Sequence, residues 1–190
     1  MPPPSDSELR AIVERVVRRT LGVEPPSPPH AKRAAGIDRD GSVAIAADHG
    51  GYLLKETLKA HLTSLGYSVI DCGTNSTEAV DYPDFAYAVA RLVSESKAWR
   101  GIVVDGAGIG SAMAANKVPG VRAALCYDHT TAVNSREHND ANVLTLGAGL
   151  IGPNLAKQIV ETWLKTEFGG GRHAKRVDKI VEIERRFLKG

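Results

Sequence analysis

The chain has 190 residues, with 24 Lys and Arg against 22 Asp and Glu, so its formal net charge is +2 with His neutral. Hydrophobic residues make up 43% and charged residues 24%, an ordinary globular balance with enough length for one domain and a real core. Near-neutral charge argues against a nucleic-acid binder held by bulk electrostatics, no apolar run approaches the ~20 residues that span a bilayer, and two cysteines, Cys72 and Cys126, cannot build a disulfide scaffold.

Ser5 or Ser7 can cap a helix through SELRAIVERVVRRTLG. Leu9, Ile12, Val13, Val16, Val17 and Leu21 fall on one face at i, i+3, i+4 spacing, Arg10, Glu14, Arg15, Arg18 and Arg19 fill the other, and Gly22 suits the stop. Residues 25–41 hold four prolines within five positions and almost nothing large and apolar, the composition of a semi-stiff linker. A helix this short is marginal in water unless its stripe finds a partner. That partner is its own domain, a second subunit, a membrane surface or a docking site elsewhere. The chain therefore divides into an amphipathic extension (1–24), a linker (25–41) and one domain (42–190). No basic-then-apolar secretory pattern opens it, so a cytoplasmic location is expected.

From Ser42 onward, short apolar runs alternate with segments of helical spacing. Val43–Ala47, Val69–Ile70, Ile102–Val104, Arg122–Cys126 and Val143–Leu146 read as strands. YLLKETLKAHLTSLG and PDFAYAVARLVSESK read as helices. Alternation of this kind predicts right-handed βαβ crossovers and an α/β fold, a doubly wound open parallel sheet of about five strands with helices on both faces. The strand tips are small or polar, as in AADHGG, DGAGIGS and LGAGLIG. Ligands of such sheets bind outside the C-terminal strand ends, so these tips are expected to converge on one crevice.

The most informative tip is Asp105-Gly106-Ala107-Gly108-Ile109-Gly110-Ser111, between a strand and a helix. Small residues there let backbone N–H groups approach a phosphate or a developing oxyanion. A dinucleotide loop and a purely structural turn are the alternatives, and the glycine spacing departs from G-x-G-x-x-G. No His, Cys, Asp and Glu set shows metal-ligand spacing, and no cofactor is expected. Cys126 lies in an apolar run and reads as core. His129 beside Asp128 reads as local structure rather than an acid–base pair, because adjacent helix positions point apart.

Six motifs follow one another in order: Ala47-Asp48-His49-Gly50-Gly51, Asp81-Tyr82-Pro83-Asp84, Gly106-Ala107-Gly108-Ile109-Gly110, Ala115-Asn116-Lys117, Arg136-Glu137-His138-Asn139-Asp140, and Gly170-Gly171-Arg172-His173 with Arg176. Together they resemble the ribose-5-phosphate isomerase B and galactose-6-phosphate isomerase family over roughly residues 42–188. The resemblance implies metal-free aldose–ketose isomerisation of a sugar phosphate, ribose 5-phosphate to ribulose 5-phosphate first among them, with active sites shared in a homodimer or a dimer of dimers. It implies ring opening by His138, enediolate stabilisation by Asn139 beside the loop, and substrate contacts from Asp48, His49, Tyr82, Gly106, Gly108, Gly110 and Ser111. Arg172 and Arg176 match phosphate ligands. The charge layout agrees, with seven Lys or Arg against three acids in residues 172–190 and ten against thirteen in residues 42–171. The extension resembles encapsulation peptides of bacterial microcompartment cargo, which implies a shell-protein partner for residues 5–22 and a microcompartment lumen as destination.

Three positions depart from the pattern. Many members take the C2 proton with a cysteine where this chain has Asp105, and another branch uses a glutamate near Ser111. Ala107 replaces a hydroxyl residue, and Gly149 stands where many members place a phosphate arginine. Asp105 is therefore expected to be the base, since a desolvated carboxylate serves in other isomerases, the rival reading being a structural or substrate-hydroxyl contact. An aspartate there also resembles the A-type subunit of galactose-6-phosphate isomerase, which works with a B-type partner. Arg136 and Lys117 are the candidates to replace the cation missing at Gly149.

Overall fold

A computed structural model describes residues 41–188; the expected helix over 5–22 and nearly all of the linker lie outside the described residues. Five strands, β1 (Val43–Ala47), β2 (Val69–Asp71), β3 (Arg100–Asp105), β4 (Ala123–Leu125) and β5 (Val143–Gly147), form one sheet in the order β2-β1-β3-β5-β4. Every pairing is parallel. Six helices accompany them: α1 (Tyr52–Ser64), α2 (Tyr82–Ser94), α3 (Ile109–Ala115), α4 (His129–Glu137), α5 (Pro153–Lys165) and α6 (Gly171–Phe187). This is the doubly wound α/β arrangement expected.

The strand residues explain the two layers. Val43, Ile45 and Ala47 of β1 turn to one face and meet Leu54, Leu58 and Leu62 of α1 with Ile159, Val160 and Trp163 of α5. Ala44 and Ala46 turn to the other face and meet Ala86, Val89, Ala90 and Val93 of α2. All five β1 residues are fully buried, as in a parallel sheet covered on both sides. The chain moves from β1 to β2 on one side and later to β3 on the other. The gap between the tips of β1 and β3 is thus the topological switch point, where ligands of this architecture bind.

The strand limits differ from the sequence expectation at the ends. β3 starts at Arg100 and runs through Asp105, so Asp105 is the last strand residue. β4 is only Ala123–Leu125. Arg122 leaves the ladder because its amide donates to Asn142 Oδ1 and its guanidinium to Asp140.

Buried charge is compensated at both ends of the sheet. At the C-terminal end of β2, fully buried Lys55 donates to Asp71 at 2.8 and 2.9 Å, and Lys59 joins at 2.7 Å. Burial would raise the Asp71 carboxyl, but these two lysines and the Gly73 N–H hold it down at about 2. At the opposite end, Asp140 receives Arg136 at 2.8 Å and Arg122 at 2.9 Å. Burial pushes its carboxyl up, yet Arg136, Arg122 and Arg100 bring it below the usual range.

Both carboxyls are depressed in the folded state, so they contribute stability above about pH 4 that is lost as pH falls through their folded values. Asp140→Asn leaves buried Arg136 short of its anion and is expected to cost about 3–5 kcal/mol, read by urea unfolding at pH 7. The variant's stability should also fall less steeply than wild type between pH 5 and 3, and parallel slopes would refute the assignment.

Candidate functional site

The switch point gathers the first group of expected site residues. Register places Ala47 beside Val104, so Asp48 and Asp105 sit side by side at the tips of β1 and β3. The Asp48 amide donates to Val104 O at 3.2 Å, and its Oδ1 accepts from Gly51 N at 2.9 Å. Gly51 is required here because a Cβ would lie 2.2 Å from Val104 O. His49 stands exposed beyond it, with Nδ1 accepting from the Val80 N–H at 3.2 Å.

The glycine loop follows β3 directly. Gly108 has φ +77 and caps α3, and a Cβ there would fall 2.5 Å from Leu125 Cδ1 and 2.9 Å from the Leu146 carbonyl carbon. Gly110 lies under the Tyr82 ring, whose hydroxyl is 2.8 Å from where its Cβ would be. The loop is strapped to β5 by Ala148 N donating to Asp105 O and Gly149 N donating to Gly106 O. A side chain at Gly149 would start 3.0 Å from Gly106 O. Ser111 is fully buried, and its Oγ has no partner.

Asp105 itself departs from the expectation of a free base. Its Oδ1 accepts from Ala107 N at 2.7 Å and from Gly108 N, and its Oδ2 accepts from Ser111 N at 3.1 Å. The side chain is 5% exposed. Three amide donors hold the carboxylate, and those donors are therefore not open to an incoming anion. The physical reason is local: a carboxylate one bond from the backbone reaches its own loop before it reaches anything else.

A second group lies elsewhere. Glu137 closes α4, and His138 and Asn139 follow it. Asn142 O accepts from Gly101 N, and Arg100 acts electrostatically on Asp140. His138 thus lies at the N-terminal edge of β3, whose length separates the two edges by about 17 Å. The strand tips were expected to converge on one crevice, and His138 is not at those tips. A helix after a parallel strand must return to the opposite edge, and α4 carries His138 there.

At that edge α6 supplies the cations. Gly169 N donates to Glu137 O at 2.9 Å, which docks the start of α6 on the end of α4. The His173 ring then stacks on the His138 ring, centroids 4.2 Å apart and 3° from parallel. Arg172 Nε donates to His173 Nε2 at 3.4 Å. Burial lowers the His173 pKa, and the charges of His138, Arg172 and Arg176 lower it further. A neutral ring then accepts from Arg172 at Nε2 and holds its proton at buried Nδ1, which has no partner. Arg172, Arg176 and Asn139 are exposed.

Arg136 is corrected by the structure. Expected among the substrate ligands, it is 2% exposed, bonded to Asp140 and to the carbonyls of Ala141 and Thr166, and faces the Trp163 ring at 5.7 Å. Glu137 and Asn139 of the same motif are exposed, but helical periodicity turns Arg136 inward. The place of His173 against His138 carries one signal in the sequence, its position next to Arg172 in the Gly-Gly-Arg-His run. Asp128 caps α4 in a capping box with Thr131, so His129 belongs to local structure. Among the described residues no cluster of His, Cys, Asp and Glu is placed to hold a metal, and no helix is long and apolar enough to cross a membrane.

A family model described as Ribose/Galactose Isomerase matches residues 43–180. Ribose-5-phosphate isomerase B of Escherichia coli is 45% identical over 144 residues, 76% of this chain and 97% of that protein. D-erythrulose-4-phosphate isomerase of Pectobacterium atrosepticum is also 45% identical over 144 residues, 75% of this chain and 95% of that protein. The solved structure of Clostridium thermocellum ribose-5-phosphate isomerase B is 54% identical with a TM-score of 0.76, covering 77% of this chain and 99% of that one.

The loop geometry makes one stability test. Gly108→Ala forces a side chain onto positive φ and into Leu125, and should cost at least about 2 kcal/mol. Gly106→Ala meets open space and should stay within about 0.5 kcal/mol. Equal melting temperatures for the two variants would contradict the loop as described.

Proposed function

The chain belongs to the Ribose/Galactose Isomerase family, and on that premise we propose that it is an aldose–ketose isomerase converting ribose 5-phosphate to ribulose 5-phosphate in the cytoplasm. The observation that carries this reading is the match along nearly the full length of relatives named ribose-5-phosphate isomerase B. His138 opens the sugar ring by protonating the ring oxygen, a task suited to imidazole near neutral pH. Arg172 and Arg176 grip the phosphate, whose dianion matches the fork of a guanidinium. Asp48, His49, Tyr82 and the open side of the glycine loop take the sugar hydroxyls, and Asn139 steadies the enediolate.

Those groups stand at opposite edges of one sheet, so a complete site needs two copies of the chain. A homodimer, alone or paired into a tetramer, brings the His138 edge of one protomer to the Asp48 edge of its partner. Exposed Leu53, Ile109, Met113, Tyr127 and Leu150, all near the C-terminal strand ends, supply apolar surface for that contact. A second reading, a shorter sugar phosphate as substrate, is favoured by the similarity to the D-erythrulose-4-phosphate isomerase. The amphipathic pattern of residues 5–22 fits docking on a shell protein, which would deliver the enzyme to a microcompartment lumen.

Three measurements test this. Incubation with a panel of aldose and ketose phosphates in deuterium oxide should give label at C2 of ribose 5-phosphate by NMR; label only in a tetrose phosphate would select the second reading. An equimolar mixture of Tyr82→Ala and His138→Asn chains allowed to exchange subunits, each nearly inactive alone, should recover about a quarter of wild-type activity, whereas no recovery would place each site within one chain. Removal of residues 1–40 should leave kcat/KM unchanged and abolish co-sedimentation with shell protein; retained co-sedimentation would refute the docking role.

A further inference from the structure

We propose that Asp48, rather than Asp105, takes the C2 proton in this chain, and that Asp105 is a positioning residue whose carboxylate holds the glycine loop in shape. The inference rests on the isomerase reading above and concerns which of two adjacent carboxylates does the chemistry. Both lie at the switch point, at neighbouring strand tips, but their surroundings differ.

Asp105 spends both oxygens on Ala107, Gly108 and Ser111 amides. Taking a proton there would break the hydrogen bonds that shape the loop, and the oxygens face backbone rather than the crevice. Asp48 is 8% exposed, so its carboxylate is also largely desolvated. Only its Oδ1 is engaged, by Gly51 N at 2.9 Å, which fixes the side chain. Its Oδ2 accepts no hydrogen bond among the described residues and is not among their sealed, partnerless atoms. The space beside the Oδ1 side of this carboxylate is open because residue 50 is glycine. A point one Cβ length from Gly50 lies 3.4 Å from Asp48 Oδ1 and 3.7 Å from Gly106 N. The Asp48 carboxylate and the Gly106 amide thus lie on the same side-chain-free side of Gly50, a base and a donor of the kind an enolising carbon and its oxygen require. Gly50 and Gly106 are both exposed, so the gap is reached from solvent.

Other titratable groups at this edge fit less well. His49 has Nδ1 bound to Val80 and stands out in solvent. Tyr82 lies over Gly110, further along the loop.

The step balances without any further reactant. The Asp48 carboxylate takes the proton from C2 of the open-chain aldose. The C2–H electron pair becomes the C1=C2 bond, and the C1 carbonyl electrons move onto O1. The carboxylic acid then returns its proton to C1, while the O2 proton passes to O1 and leaves C2 as the ketone.

The test compares Asp48→Asn, Asp48→Glu and Asp105→Asn on ribose 5-phosphate in deuterium oxide, with folding checked by circular dichroism and sugar-phosphate binding by calorimetry. Asp48→Asn should lose turnover and deuterium uptake by roughly 10²–10⁴-fold while still binding substrate, and Asp48→Glu should restore part of the loss. Asp105→Asn should raise KM more than it lowers kcat and should keep the acid limb of the kcat–pH profile. Turnover of Asp48→Asn within tenfold of wild type overturns the assignment while leaving the isomerase reading intact. Abolished deuterium uptake in folded Asp105→Asn, with uptake retained in Asp48→Asn, reverses the two roles. Wild-type protein that labels no aldose or ketose phosphate overturns the isomerase reading and this assignment with it.

Discussion

A carboxylate buried at the end of a parallel strand has to find hydrogen-bond donors, and in this protein Asp105 finds them in its own following loop. Three amides from Ala107, Gly108 and Ser111 converge on it. Left without them, a buried charge would carry a desolvation penalty of several kcal/mol. With them, the loop is drawn into one shape, and that shape sets everything at the tip of β3. It fixes Gly108 at positive φ against β5, brings Gly110 beneath Tyr82, and leaves Gly106 facing the gap beside Asp48.

The same device explains the sequence around it. Small residues occur on both sides of the loop because backbone meets backbone there. Gly147 would place a Cβ 2.7 Å from the Ala107 carbonyl, and Gly149 would place one 3.0 Å from Gly106 O. An arginine at Gly149 would have to leave through that contact. The cations at hand for a phosphate instead cluster on α6, at the other edge, where His138 and His173 stack face to face. Among the candidate site residues, Asp48, Asp105 and the loop amides thus lie at one edge and Arg172 and Arg176 at the other.

Buried ion clusters support each edge separately. Lys55 and Lys59 with Asp71 tie short β2 to α1 beneath the first group. Arg122 and Arg136 with Asp140 hold the turn after His138. Each also holds a flanking loop, Asp71 by accepting from Gly73 N and Arg122 by donating to Asp140 O.

Strand–helix alternation and the order of the six motifs were legible in the sequence, because apolar spacing is a local property and chain order is read directly. So were the tips of β1, β3 and β5, where small or polar residues follow each apolar run. Three things depended on the tertiary structure. Arg136 lies in a polar motif yet turns into the core, and only packing against Trp163 and Asp140 shows it. His173 gains its place by stacking on a ring 35 positions earlier, a contact no local pattern encodes. Asp105 and Asp48 are the same residue type at the same kind of tip, and what separates them is which nearby amides point at each carboxylate. Hydrogen-bond direction is a property of folded backbone, so composition and spacing are silent on it.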